Sequence, residues 1–150
     1  MKFKTVTIID QLPENVEIKS FGLSFGYYYD YSAILGCCLV GNDLYLKEIL
    51  YTTNYQTIIN KLKSENKVVI TDGVDPKLIS DFREIGIDIQ AFKKHKGIGS
   101  VVPSMWKDYN IYITKDSKNL INDLNPIGIS PFIDALFYWC SAGIKLNNFI

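Results

Sequence analysis

Two carboxylates, Asp72 and Asp134, sit where carboxylates are costly. Asp72 closes the apolar run Lys67-Val68-Val69-Ile70-Thr71, and Asp134 interrupts the most apolar stretch of the chain, Pro131 to Trp139. A charge beside a hydrophobic core persists when it is paired, hydrogen-bonded or bound to a metal. If the two meet in space, the chemistry they suit is holding a divalent cation, because hard ions prefer oxygen donors. Each also has a plainer reading. Asp72 suits a turn or cap at a strand end, and Asp134 suits the first turns of a helix, where the dipole stabilises an acid by ~0.3–1 kcal/mol.

Other chemistry-bearing groups are sparse. Lys93, Lys94, His95 and Lys96, followed by Gly97 and Gly99, form the one dense basic patch, which ordinarily means a solvated loop. His95, flanked by lysines, reads as solvent-exposed. The cysteines are Cys37, Cys38 and Cys140: an odd count, two of them adjacent, without zinc-site spacing. Buried thiols in a reducing compartment are the better reading, and Cys37 and Cys38 on one strand must point to opposite faces. Tyr27-Tyr28-Tyr29 suits the alternation of a strand end, and Trp106 and Trp139 read as core.

The elements that must position these groups follow from periodicity. Residues 3–9 are rich in β-branched side chains and read as a strand. Further strands are expected at about 18–26, 32–40 and 43–51, with Gly41-Asn42-Asp43 turning a hairpin, so that this tightly joined group is antiparallel. Ile58, Ile59 and Leu62 then take helical spacing behind an Asn54 cap. After the Asp72 strand, Asp75-Pro76 opens a helix with Leu78, Ile79, Phe82 and Ile85 on one face and Gly86 at its end. A strand at 87–92, a helix at about 101–107, a strand at 109–114 and a helix at 117–124 come next. Ser130-Pro131 opens a last helix that is apolar nearly all round, hence buried. A meander followed by alternating α and β predicts a mixed sheet with helices on its faces.

Composition sets bounds. With 150 residues, one domain with a real core is expected. Sixteen basic and sixteen acidic side chains cancel, so no global charge draws the chain to nucleic acid or anionic membrane. No apolar run reaches the roughly 18 residues of a membrane span, and no signal-peptide pattern opens the chain. A cytoplasmic protein is expected.

The order of motifs resembles the C-terminal nuclease domain of the phage terminase large subunit, of the ribonuclease H-like fold. The motifs that carry the resemblance are Gly22-Leu23-Ser24-Phe25-Gly26 with Asp30-Tyr31-Ser32-Ala33, and the strand-to-helix run Val69 to Ile79 around Asp72. Phe82-Arg83-Glu84-Ile85-Gly86, Lys96-Gly97-Ile98-Gly99-Ser100-Val101 and Asp134-Ala135-Leu136-Phe137-Tyr138 complete the set. It covers about residues 5–139. It implies an α/β, ribonuclease H-like mixed sheet whose first three core strands are antiparallel. It also implies a divalent-metal-dependent DNA endonuclease that cuts viral DNA during packaging. Such enzymes hold paired Mg²⁺ or Mn²⁺ ions roughly 3.5–4 Å apart.

The family's three acidic ligands correspond to Ser24, Asp72 and Asp134, with Asp30 a weaker candidate for the third position. Ser24 departs from the pattern, because a hydroxyl supplies neither the charge nor the bridging geometry of aspartate. Two carboxylates suit one weakly held ion, which predicts impaired cleavage. The connection from Asn125 to Ser130 is also shorter than the family's. The resemblance further implies double-stranded DNA as partner, with Lys93, Lys94, Lys96 and Ser100 against a phosphate, alongside other phage packaging proteins in the bacterial host cytoplasm. No GxxxxGK[ST] phosphate loop occurs, so no ATPase domain and no ATP are expected. Two classes stay open: an endonuclease domain, and a non-catalytic pseudonuclease serving as a DNA-binding or protein-interaction module.

Overall fold

The computed structural model of the chain describes residues 5–26, 31–72, 75–92, 109–124 and 130–147. These hold strands β1 (Thr5–Ile9), β2 (Ser20–Ser24), β3 (Ser32–Val40), β4 (Asp43–Thr52), β5 (Val68–Asp72), β6 (Ile89–Phe92) and β7 (Asn110–Thr114). The helices are α1 (Tyr55–Glu65), α2 (Pro76–Glu84), α3 (Lys118–Asp123) and α4 (Pro131–Asn147). The strands form one mixed sheet in the order β1-β7-β4-β3-β2-β5-β6. At its centre β2, β3 and β4 are antiparallel, as the tight connections require. Parallel strands flank them on both sides. The first strand does not join the meander. It crosses to the far edge and pairs in parallel with β7, which nothing in its local pattern reveals.

Local chemistry sets the boundaries. The β3–β4 loop is the pair Gly41-Asn42, with Gly41 at φ 60°, and glycine at the first central position suits a type II′ turn. Asn54 caps α1 by accepting from the backbone N–H groups of Gln56 and Thr57 at 2.8 and 3.2 Å. Asp75 caps α2 through its Oδ1 to the Leu78 N–H at 3.1 Å, with Pro76 in the first turn. Gly86, at φ 93°, ends that helix. Ile85 is a correction: it leaves the buried face at the helix end and is exposed, so only Ile79 and Phe82 anchor α2 fully.

Strand alternation gives the sheet two apolar faces. On one, Phe21, Leu23, Ile34 and Val69 pack with Ile58 and Leu62 of α1 and Ile79 and Phe82 of α2. On the other, Ala33, Leu35, Leu46, Ile111 and Ile113 pack with Leu120 of α3 and Phe132, Ala135 and Leu136 of α4. Cys37 and Cys140 are buried on this second face and Cys38 packs toward the first, all as free thiols. Burial, and then the neighbouring Cys140 and Cys38, push the Cys37 thiol well above its ordinary value, so it is inert as a nucleophile. No described helix is long and apolar enough to cross a membrane.

Helix α4 lies directly on β2. A Cβ on Gly22 would fall inside the contact distance of the Ala135 carbonyl and 3.3 Å from the Trp139 Cβ. The Trp139 indole N–H donates to the Ser20 Oγ at 2.8 Å. At its N-terminus, the Ser130 Oγ accepts from the Ile133 N–H at 3.1 Å. Ser130 also hydrogen-bonds the Asp123 carboxylate. Glu48 ties α3 to β4, its two oxygens accepting from the Leu120 N–H and the Asn119 side chain, both at 2.9 Å. The Asp123 Oδ2 is buried without a hydrogen-bond partner.

Gly22→Ala should therefore be strongly destabilising, since it presses a methyl group against helix backbone. Overpacking typically costs about 1–3 kcal/mol. Gly36→Ala should cost less, because its new methyl would meet side-chain atoms of Ile18 and Ile49 rather than helix backbone. Urea midpoints of the two variants check the order.

Asp123 yields a pH dependence. Burial, and then the nearby Glu48, raise its carboxyl above the ordinary aspartate value, against the lowering effect of Ser130. A raised carboxyl favours folding below its unfolded-state pKa, and that contribution is lost as pH rises through the folded value. Asp123→Asn should keep the bond from Ser130 and remove this loss. The variant should gain stability relative to the parent as pH rises from about 4 toward 7, read from urea midpoints across that range.

Candidate functional site

Ser24 and Asp72 end two neighbouring parallel strands. The β2–β5 register pairs Ser20 with Val68, Phe21 with Val69 and Gly22 with Ile70, and two more residues along it Ser24 stands beside Asp72. Their shared strand end is pinned from the opposite face by Thr71, whose buried hydroxyl donates to the Leu23 carbonyl at 2.9 Å. The parity that puts Gly22 under α4 also turns Ser24 and Asp72 toward that helix. Ser24 is only 3% exposed, and Asp72 is half-buried.

The helix completes the arrangement. Ala135 lies over Gly22, and Trp139, one turn on, reaches back to Ser20. Helix α4 therefore runs against the direction of β2, and its N-terminal turns point to the strand ends that carry Ser24 and Asp72. Asp134 lies in the first of these turns and is half-buried. One turn later, the Tyr138 hydroxyl donates to the Asp72 Oδ2 at 2.9 Å. Tyr138 is 4% exposed and packs on Ile70. The two aspartates are thus joined through one turn of helix and one hydrogen bond.

Across the sheet the row continues. Ser24 pairs with Ala33 and Ala33 with Tyr51, so Asp72, Ser24, Ala33 and Tyr51 lie side by side on the α4 face. Tyr51 is there because of a β-bulge. Leu35 pairs with Glu48 while Ile34 pairs with Leu50, leaving Ile49 as the extra residue. Ile49 and Leu50 both pack toward α1 and α2, so parity inverts and Tyr51 returns to the α4 side. Strict alternation from Leu44 and Leu46 would have sent it away. Burial, and then Asp123, Tyr31 and Glu48, raise the Tyr51 phenol above its ordinary value, keeping it a neutral hydroxyl at physiological pH.

Among the described residues, no three His, Cys, Asp or Glu side chains converge as a potential metal cage, in keeping with a serine at position 24. Asp72, Asp134 and Ser24 would offer an ion two carboxylates and one hydroxyl, all hard oxygens of the kind Mg²⁺ or Mn²⁺ takes. Asp30, Lys93, Lys94, Lys96 and Ser100 lie outside the described residues. So do Tyr27 to Tyr29, His95, Trp106 and the helix expected at 101–107. The sequence pattern assigns Tyr138 and Tyr51 no separate role at the site. The four-residue spacing from Asp134 was a usable signal for the first, whereas the bulge hides the second.

No protein-family model matches the chain, and no curated protein matches it significantly. A solved structure does: the nuclease domain of the g2p large terminase from bacteriophage SPP1, crystallised with bound Mn, aligns over 91% of this chain and 95% of its own length. Sequence identity is 20% and the TM-score 0.71. With its antiparallel centre, parallel flanks and helices on both faces, the chain has the ribonuclease H-like fold of a phage large-terminase nuclease domain.

Proposed function

We propose that the chain is a metal-dependent DNA endonuclease domain of the large-terminase type, acting on viral DNA during packaging and weakened by the serine at position 24. The observation that carries this reading is the meeting of Ser24 and Asp72 at adjacent strand ends beneath the helix turn that bears Asp134. The Mn-bound SPP1 domain of the same fold supports it. Asp72 and Asp134 would hold one Mg²⁺ or Mn²⁺ ion, with Ser24 or Asp30 as a neutral or distant third donor. Such an ion supplies positive charge at a phosphodiester and an acidified water.

The chain's own groups set the rest. The Tyr138 hydroxyl donates to one oxygen of Asp72 and fixes the carboxylate's orientation. Ser24 contributes a hydroxyl with no charge. Lys93, Lys94, Lys96 and Ser100 would contact phosphates of double-stranded DNA, with partners among the packaging proteins and the host cytoplasm as the setting. The second reading, a pseudonuclease that keeps the fold to bind DNA or protein, is favoured by one specific observation. The position between Asp72 and Ala33 is occupied by a buried, neutral side chain.

Ser24→Asp discriminates the two. Under the nuclease reading it should turn weak or absent nicking of supercoiled plasmid in Mn²⁺ into clear nicking, and Asp72→Asn should abolish it in either background. A folded Ser24→Asp protein without nicking would instead favour the pseudonuclease. Stability supplies a readout independent of activity. Added charge next to Asp72 should lower the melting temperature of Ser24→Asp in EDTA. Mn²⁺ at about 100 times its Kd should restore about 2.7 kcal/mol, while Asp72→Asn should show little response.

A further inference from the structure

Beside the strand ends stands a stack of aromatic rings that the cation site does not use. The Tyr31 and Tyr51 rings lie 4.3 Å apart at 12°, and the Tyr51 and Phe132 rings 5.4 Å apart at 26°. Phe132 is fully buried, Tyr51 is half-buried and Tyr31 is 40% exposed. The stack therefore runs from the core under the first turn of α4 out to solvent. Its middle member lies in the same cross-strand row as Ser24 and Asp72, and the β4 bulge is what brings it there.

We propose that Tyr31 is a platform on which one unpaired base of the DNA stacks when a phosphate further along the same strand reaches the Asp72 end of the sheet. This rests on the nuclease reading for the nature of the ligand. A ring held parallel to a half-buried partner that itself stacks on the core presents a preorganised face, and stacking on such a face tolerates any base. Bases inside a duplex are already stacked on both sides, so the occupant is a base freed by fraying, distortion or a single-stranded end. The alternative is that the three rings only brace α4 against β4.

Fluorescence separates the two. A short single strand carrying 2-aminopurine, titrated in EDTA so that no cleavage occurs, should be quenched on binding the parent. Tyr31→Ala should remove the quenching and weaken binding roughly tenfold. Tyr31→Phe should retain both, and the Tyr31→Ala affinity for a blunt duplex should stay at the parent's level. The platform is overturned if the parent does not quench, if Tyr31→Ala binds the single strand as the parent does, or if Tyr31→Phe loses as much as Tyr31→Ala. An equal loss on blunt duplex overturns it as well. Unfolding midpoints of the variants show whether bracing alone is affected. Failure of the nuclease reading appears elsewhere, in the nicking and Mn²⁺ response of Ser24→Asp, neither of which depends on Tyr31.

Discussion

The close contact between α4 and β2 at Gly22 governs everything that converges at the candidate site. A helix normally stands off a sheet by the thickness of two layers of side chains. Here one layer is missing, because Gly22 has no Cβ and the Ala135 carbonyl occupies that space. The approach lowers the whole helix onto the sheet. Two polar contacts from adjacent residues near its middle then fix its slide and rotation: Trp139 to Ser20 at the start of β2 and Tyr138 to Asp72 at the end of β5. Once those are set, Asp134 has no freedom in where it emerges. Its place follows from being one turn ahead of Tyr138.

The second constraint is the extra residue in β4. The sheet must bury two faces, and strict alternation assigns each side chain of β4 to one of them. Ile49 breaks the alternation, and both outcomes are used. Glu48 keeps to the α4 side, where its carboxylate accepts from the Leu120 N–H and the Asn119 side chain in the first turn of α3. Tyr51 joins the same side three residues later and stacks on Phe132. Glu48, before the bulge, thus anchors α3, and Tyr51, after it, props up the first turn of α4.

Much of this was legible beforehand, and the reasons differ by element. The hairpin at Gly41-Asn42 and the caps at Asn54, Asp75 and Ser130 are local chemistry, so sequence shows them. The pairing of Ser24 with Asp72 was reachable through the motif pattern, because both residues end apolar strands. The position of β1 was not legible. Its β-branched pattern says strand but carries no information about a partner more than a hundred residues away. Nor was the bulge, since Glu48-Ile49-Leu50-Tyr51 reads as ordinary strand until its partner's register is known. Ile85 shows the converse: helical spacing put it on the buried face, but the helix ended before the spacing could act.

The serine at position 24 has a physical logic that does not depend on catalysis. The Ser24 side chain is nearly closed to solvent and lies beside a carboxylate on the next strand. A second carboxylate there would set two like charges in a poorly solvated corner, a cost that a bound cation offsets and an empty site does not. Serine removes that repulsion and still offers an oxygen. The consequence is a sheet end spared that repulsion, which would hold a cation less firmly than an aspartate there would. Stability without the ion and affinity for it are opposed through one side chain, and the remaining carboxylates, Asp72 and Asp134, are those that the fold can support on its own: one through Tyr138, the other through the first turn of α4.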